Sequence, residues 1–378
     1  MFALNADHIA MRDMAKTFAD ERFAPSAVGW DEAKHFPVDV LREAAGLGMA
    51  AIYVREENGG SGLTRLDAAL IFEALATGCP STAAYLSIHN MVAWMIDRFG
   101  APALGAKFLP KLASMEHLSS YCLTEPGAGS DAAALQTRAR RDGEFYVLDG
   151  VKQFISGAGA ADIYLVMART GGEGAGGISA FVVEKGTAGL SFGANERKMG
   201  WNTQPTRQVI MEGARIPAEN LIGAEGEGFK IAMAGLDGGR LNIGACALGG
   251  GEAALAKALA HMRERKAFGR AIIDFQALQF RLADIATSLE AARSLLWRAA
   301  SALDAKTADA TKLCAMAKRV ATDAGFNAAN DALQLLGGYG YLADYGIEKI
   351  VRDLRVHQIL EGTNEIMRLI VARGLIQG

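Results

Sequence analysis

The sequence predicts an α+β multidomain chain in three parts: a helical segment, a β-rich segment and a second, longer helical segment. Three observations carry this reading. Apolar residues recur at helical spacing up to about Leu118. From Ser119 to about Phe229 that period gives way to short β-rich runs separated by glycine-rich turns. After Gly228 the helical period returns and holds to the end. At 378 residues the chain is too long for one ordinary core, so these parts are expected to be domains: 1–118, 119–229 and 230–378.

In the first part, Ala68, Ile71 and Leu75, then Leu86, Val92, Met95 and Phe99, mark helix faces. Thr64 and Ser81 are candidate N-caps, and Gly78 and Gly100 candidate stops. In the second part the strands are sought in Phe145–Leu148, Ile163–Met167, Ile178–Val183 and Gln208–Met211, forming a small sheet or barrel. In the third part, Leu278, Leu282, Ile285, Leu289, Ala292 and Leu296 alternate steps of four and three, the apolar seam of a helix bundle.

Composition excludes several classes. A net charge of −3 gives no reason to expect nucleic acid or an anionic membrane as partner. The longest apolar stretches are broken before the roughly 18 residues that span a bilayer, and the first residues read as a first helix, so a cytoplasmic location is expected. The four cysteines form no C-x-x-C pair and the six histidines no H-E-x-x-H, so no metal is expected. Residues 172–177 formally match G-x-G-x-x-G, but the next run is a strand rather than a helix; they read as a surface turn.

Four segments hold groups that bind or react. In Tyr121–Asp131 (YCLTEPGAGSD), glycines let backbone N–H groups approach a ligand, and Thr124 and Ser130 add hydroxyls. In Lys152–Gly159, Phe154 and Ser156 stand two residues apart, on one face of a strand. Arg263–Arg270 is dense in positive charge, which suits a diphosphate as well as a solvated helix end. In Arg352–Ile366, Gly362 closes one helix and Thr363 caps the next, which puts Glu361 at the junction behind Ile359 and Leu360. A carboxylate beside an apolar wall is a stronger base, although a solvated loop glutamate has the same local sequence.

YCLTEPGAGSD, KQFISG, ERKAFGR, QLLGGYGY and RVHQILEGTNEI, in this order, resemble the acyl-CoA dehydrogenase family over essentially the whole chain. The resemblance implies a helical domain, a middle β-barrel-like domain and a C-terminal four-helix bundle. It implies FAD as cofactor, a homotetramer (a dimer of dimers), and electron-transfer flavoprotein as the electron acceptor. Residue by residue, Tyr121, Leu123, Thr124, Gly129, Ser130, Phe154 and Ser156 match FAD positions, with Thr124 and Ser156 on the flavin ring and Ser130 at the pyrophosphate. Arg265, Phe268, Phe275, Gln276, Gln334 and Gly338 match positions that hold the FAD of a neighbouring subunit. Thr363 and Glu365 complete the cofactor pocket. Ser130, Asp237, Arg240, Glu361 and Gly362 match substrate positions.

Glu361 matches the family's catalytic base. Some members carry that base on an earlier helix, at the position of Gly239, which cannot serve here. Phe154 departs from the tryptophan many members have, keeping the apolar cover without the indole. Segments 200–207, 236–243 and 356–362 resemble most the branch that oxidises isobutyryl-CoA to methacrylyl-CoA in valine breakdown. Related expectations are 2-methylbutyryl-CoA or butyryl-CoA as substrate, and, from another class, a non-catalytic acyl-CoA- or FAD-binding scaffold.

Overall fold

The computed structural model describes residues 4–376; Met1–Ala3, where the sequence reading began its first helix, lie outside the described residues. The N-terminal part is helical: α1 (Ala6–Phe18), α2 (Ala27–Ala33), α3 (Val38–Gly46), α4 (Arg65–Ala76), α5 (Pro80–Phe99) and α6 (Pro102–Ala113). Thr64 caps α4 in a reciprocal box, its Oγ1 accepting from Asp67 N–H at 3.2 Å while Asp67 accepts from Thr64 N–H at 2.8 Å. Ser81 does not cap α5. Pro80 occupies the first helical turn, so the cap falls to Cys79, and the Ser81 hydroxyl is buried against Thr203 at 2.6 Å.

Eight strands follow: β1 (Ser119–Cys122), β2 (Arg138–Asp142), β3 (Phe145–Ser156), β4 (Ile163–Arg169), β5 (Ile178–Glu184), β6 (Leu190–Phe192), β7 (Thr206–Pro217) and β8 (Leu221–Ile222). They form one sheet in the order β6-β7-β3-β2-β4-β5-β8, with β1 parallel to β4. The sheet folds over on itself. Tyr146 of β3 packs on Phe181 of β5 at 4.8 Å, and Tyr164 of β4 on Phe192 of β6 at 5.2 Å. Residues 171–177 are the turn between β4 and β5, as their sequence suggested.

The last part is α7 (Gly228–Glu264), a hairpin of β9 (Lys266–Ala267) and β10 (Arg270–Ala271), α8 (Gln276–Asp304), α9 (Ala310–Leu336), α10 (Ile347–Arg355) and α11 (Asn364–Ile376). α7 is the hub, packing on α4, α5, α8 and α9. Two glycines let it do so. A Cβ on Gly249 would lie 2.1 Å from the Glu73 carbonyl of α4, and one on Gly325 of α9 would lie 2.2 Å from the Ala247 carbonyl of α7. One expectation is corrected here: α7 is long and apolar enough to cross a membrane by length and composition. Two-thirds of its apolar window is buried inside the protein, because a helix enclosed by four others must be apolar all round.

Candidate active site

A cavity of about 720 Å³ opens between the loop after β1, the end of β3, α5, α7 and the turn that precedes α11. That volume is in the range of small-ligand sites. It gathers ten of the residues singled out from sequence: Tyr121, Leu123, Thr124, Gly129, Ser130, Phe154, Ser156, Arg240, Glu361 and Gly362. Ile88, Met91, Trp201, Phe229, Met233, Leu236, Leu360 and Ile366 complete an apolar lining.

The loop is fastened from below. Glu125 is buried and accepts from the N–H groups of Gln136 (2.6 Å) and Thr137 (2.9 Å) and from the Lys152 ammonium (2.7 Å). Lys152, fully buried, also donates to the Leu123 carbonyl at 3.1 Å. With the loop held there, a Cβ on Gly127 or Gly129 would meet nothing within 4 Å, so its backbone stands open to a ligand. β3 is bulged against β7 between Lys152 and Ile155, and Phe154 sits at φ 60° with 64% of its surface exposed. The bulge breaks strict alternation, yet Phe154, Ile155 and Ser156 all line the cavity.

Strain is concentrated at this site. Seven described non-glycine residues have positive φ; Phe154, Trp201 and Glu361 line the cavity, and Phe268 is another residue singled out for a cofactor. Such conformations persist where surrounding contacts over-determine them. For Trp201, its N–H donates to Asp353 at 2.6 Å and its indole N–H to His357 at 3.2 Å. Burial holds His357 neutral, pushed down to about 3.

Glu361 sits at φ 54° and Gly362 at φ 91°. The preceding helix does not reach Gly362. α10 ends at Arg355, and residues 356–358 tighten into a 3₁₀ turn around the buried His357, so Gly362 serves the turn instead. Thr363 caps α11 as expected, accepting from Ile366 N–H at 3.3 Å. The Glu361 carbonyl accepts from Arg240 Nε at 3.3 Å. Its Oε2 is shielded from solvent and has no hydrogen-bond partner, and its N–H finds no protein acceptor among the described residues. Burial pushes the carboxyl up to about 7, against the opposing pull of Lys318 and Arg240. A carboxyl so placed is a general base poised near neutral pH.

Asp237 lies behind the wall rather than in it. It accepts from Arg240 at 2.7 Å and from Thr311 at 2.7 Å, and so orients Arg240. Glu365 is exposed beside Arg368. Arg265, Phe268, Phe275, Gln276, Gln334 and Gly338 do not line this cavity. At the hairpin end of the bundle Phe268, 95% exposed, meets Phe275 edge-on at 6.1 Å, and Arg265 lies over Tyr339, next to Gly338. Sequence reasoning passed over Trp201, Lys152 and Lys318 as functional positions. A lysine inside an otherwise small or apolar helix face, as at Lys318 between Cys314 and Thr322, was the available signal.

These residues suit a flavin nucleotide. An open glycine-rich loop with hydroxyls, an exposed aromatic ring held in a strained conformation and a carboxylate whose Oε2 is shielded and unpartnered line the same cavity.

The comparisons agree. Residues 5–116, 120–214 and 226–376 match the N-terminal, middle and C-terminal domains described for acyl-CoA dehydrogenases. A mitochondrial isobutyryl-CoA dehydrogenase of Dictyostelium discoideum is 55% identical over 98% of this chain and 90% of its own length. Butyryl-CoA dehydrogenase from Megasphaera elsdenii superposes with a TM-score of 0.96 at 38% identity, over all of both chains. A chain solved in work on "Electron transferring flavoprotein of Acidaminococcus fermentans: Towards a mechanism of flavin-based electron bifurcation" superposes at 0.97 with 42% identity, again over all of both. Three matched domains, a relative 55% identical over nearly the whole chain and a shared fold make this chain a member of the acyl-CoA dehydrogenase family, an FAD-dependent oxidoreductase.

Proposed function

We propose that this enzyme oxidises isobutyryl-CoA to methacrylyl-CoA in valine breakdown and passes the electrons to electron-transfer flavoprotein. The observation that carries the chemistry is the Glu361 carboxylate: shielded, unpartnered and aimed into the cavity. The substrate rests on the 55% identity to an isobutyryl-CoA dehydrogenase.

Glu361 takes the α proton of the thioester. FAD, when bound, supplies the acceptor for the β hydrogen, taken as hydride. The free N–H of Glu361 is the donor for the thioester oxygen; one such donor is worth roughly 10²–10³ in rate. Arg240, oriented by Asp237, holds the turn from the α7 side and borders the pantetheine chain, with Ser130 and Gly362. Thr124, Ser130 and Ser156 would hold the cofactor by their hydroxyl groups and Phe154 by its ring, with Tyr121, Leu123 and Gly129 shaping the loop. Thr363 and Glu365, just outside the cavity lining, would meet the part of the cofactor that extends beyond it. The apolar lining keeps water from the reacting carbons.

We further propose domains at 1–118, 119–229 and 230–378, a cytoplasmic location and a homotetramer. The exposed aromatic end of the bundle supports the assembly. There Phe268, Phe275, Arg265, Gln276, Gln334 and Gly338 are free of their own cavity and available to the FAD of a neighbour.

Anaerobic titration of the yellow enzyme with isobutyryl-CoA, 2-methylbutyryl-CoA, butyryl-CoA and isovaleryl-CoA tests the reading. Stoichiometric bleaching, fastest with isobutyryl-CoA, is expected. Preference for another acyl group discards the substrate and keeps the dehydrogenase; no bleaching with any of them discards both.

A further inference from the structure

Lys318 lies in the middle of α9, fully buried, and forms no ion pair within salt-bridge distance among the described residues. Its ammonium donates to two acceptors: the Gly362 carbonyl at 2.9 Å and the Asn364 side-chain oxygen at 3.0 Å. Both belong to the segment immediately after Glu361. Burying an unpaired ammonium is costly, and a leucine or methionine would satisfy the packing of a helix interior more simply.

The acceptors explain why it is there. Glu361 and Gly362 are consecutive left-handed residues, and only the second is a glycine. A left-handed non-glycine residue costs roughly 1–2 kcal/mol and needs outside support. Each of the two carbonyls is held by one cation: Glu361 by Arg240 from α7, Gly362 by Lys318 from α9. About one turn along, α9 continues the grip. Asn364 donates to Thr322 (3.0 Å) and Asp323 (2.8 Å), and Gln358, on the near side of the turn, donates to Asp323 at 2.8 Å. The turn carrying Glu361 is thus tied on both sides to α9.

We propose that Lys318 is a positioning residue for the catalytic base. Its ammonium locks the Glu361–Gly362 turn in the left-handed geometry that aims the carboxylate into the cavity, and its charge favours the ionised carboxylate there. This rests on the reading of Glu361 as base. The charged and titratable groups around the pair come from every neighbouring element: Arg240 from α7, Asp323 from α9, Glu365 from α11 and His357 from the turn, with Tyr121 from β1, Tyr53, and Cys246 of α7 facing Glu361. Arg240 is the other cation whose charge opposes the effect of burial on Glu361, so removal of Lys318 leaves that carboxylate less compensated.

The test is the pH profile of anaerobic flavin reduction by isobutyryl-CoA in Lys318→Met and Lys318→Gln holoenzymes. FAD content and melting temperature are recorded for each, with Glu361→Gln alongside. Both lysine variants are expected to bind FAD and to shift the acid limb up by about one pH unit or more. Lys318→Met, which keeps no donor for Gly362, is expected to lose at least about tenfold in plateau rate as well. Should the Met variant fail to fold, the Gln variant, which keeps a donor without the charge, carries the test through the acid limb. A merely structural lysine would lower melting temperature and leave the acid limb in place. An unmoved limb in folded holoenzyme, with Glu361→Gln inactive, overturns the role of Lys318 alone. An active Glu361→Gln overturns the base and this inference with it.

Discussion

The carboxylate of Glu361 occupies the space that a side chain at Gly239 would need: a Cβ there would lie 2.3 Å from Oε2 and 3.0 Å from both Cδ and the Met91 sulfur. The base and the bare backbone of α7 are therefore complementary. The two positions that the resemblance marks for a base thus lie side by side, and in this chain only Glu361 carries a carboxylate.

Gly239→Ala should therefore push the carboxylate aside while leaving the buried helix intact. A displacement near 1 Å costs about 10²-fold in rate. The expected result is a loss of 10-fold or more in kcat with FAD content unchanged, measured by steady-state turnover and flavin absorbance.

Turnover should depend on one ionisation near neutrality. The base acts as carboxylate, and burial pushes it up to about 7. kcat/KM, which reports the free enzyme, should rise with pH and level off above about 8. A limb near the ordinary carboxyl value of 4.5 would show that Glu361 is solvated in solution.

The same shift links to stability. The folded carboxyl binds its proton more tightly than the unfolded one, so its contribution is fully present below about 4.5 and is lost as pH rises through about 7. Glu361→Gln removes that loss. The melting temperature of the variant should pull ahead of wild type between pH 5 and pH 8, with a gain of up to about 3 kcal/mol. A gap independent of pH would contradict the assigned shift.

Lys152→Met leaves Glu125 buried opposite an apolar side chain. Breaking a buried pair costs about 3–5 kcal/mol. Because Glu125 and Lys152 fasten residues 123–125, the loss should include FAD retention. The variant should melt lower and release flavin on gel filtration, where wild type keeps it.

The order helix, sheet, bundle was legible because each period persists over many residues, as in the Leu278–Leu296 seam of α8. The capping box at Thr64 was equally local. What escaped were features set by distant partners. Ser81 looks like a cap until Thr203 takes its hydroxyl. α7 looks interrupted by glycine, but its Gly249 is a contact point with α4, and the helix runs unbroken for 37 residues. At the site, the motifs led to ten of the cavity's residues. Lys318 carries no motif, and Trp201 stood only inside the segment 200–207; their roles come from Asp353, His357 and Gly362, brought close only by folding. Positive φ at Phe154, Trp201 and Glu361 was likewise invisible, since sequence flags that conformation mainly through glycine.

The most direct test of the account is single-turnover reduction of Glu361→Gln holoenzyme by isobutyryl-CoA under anaerobic conditions. The amide fills the same space beside Gly239 and cannot accept the α proton. The account predicts full FAD occupancy and a reduction rate lower by at least about 10²–10⁴, the usual contribution of a general base. A rate close to wild type, with FAD bound, would contradict it.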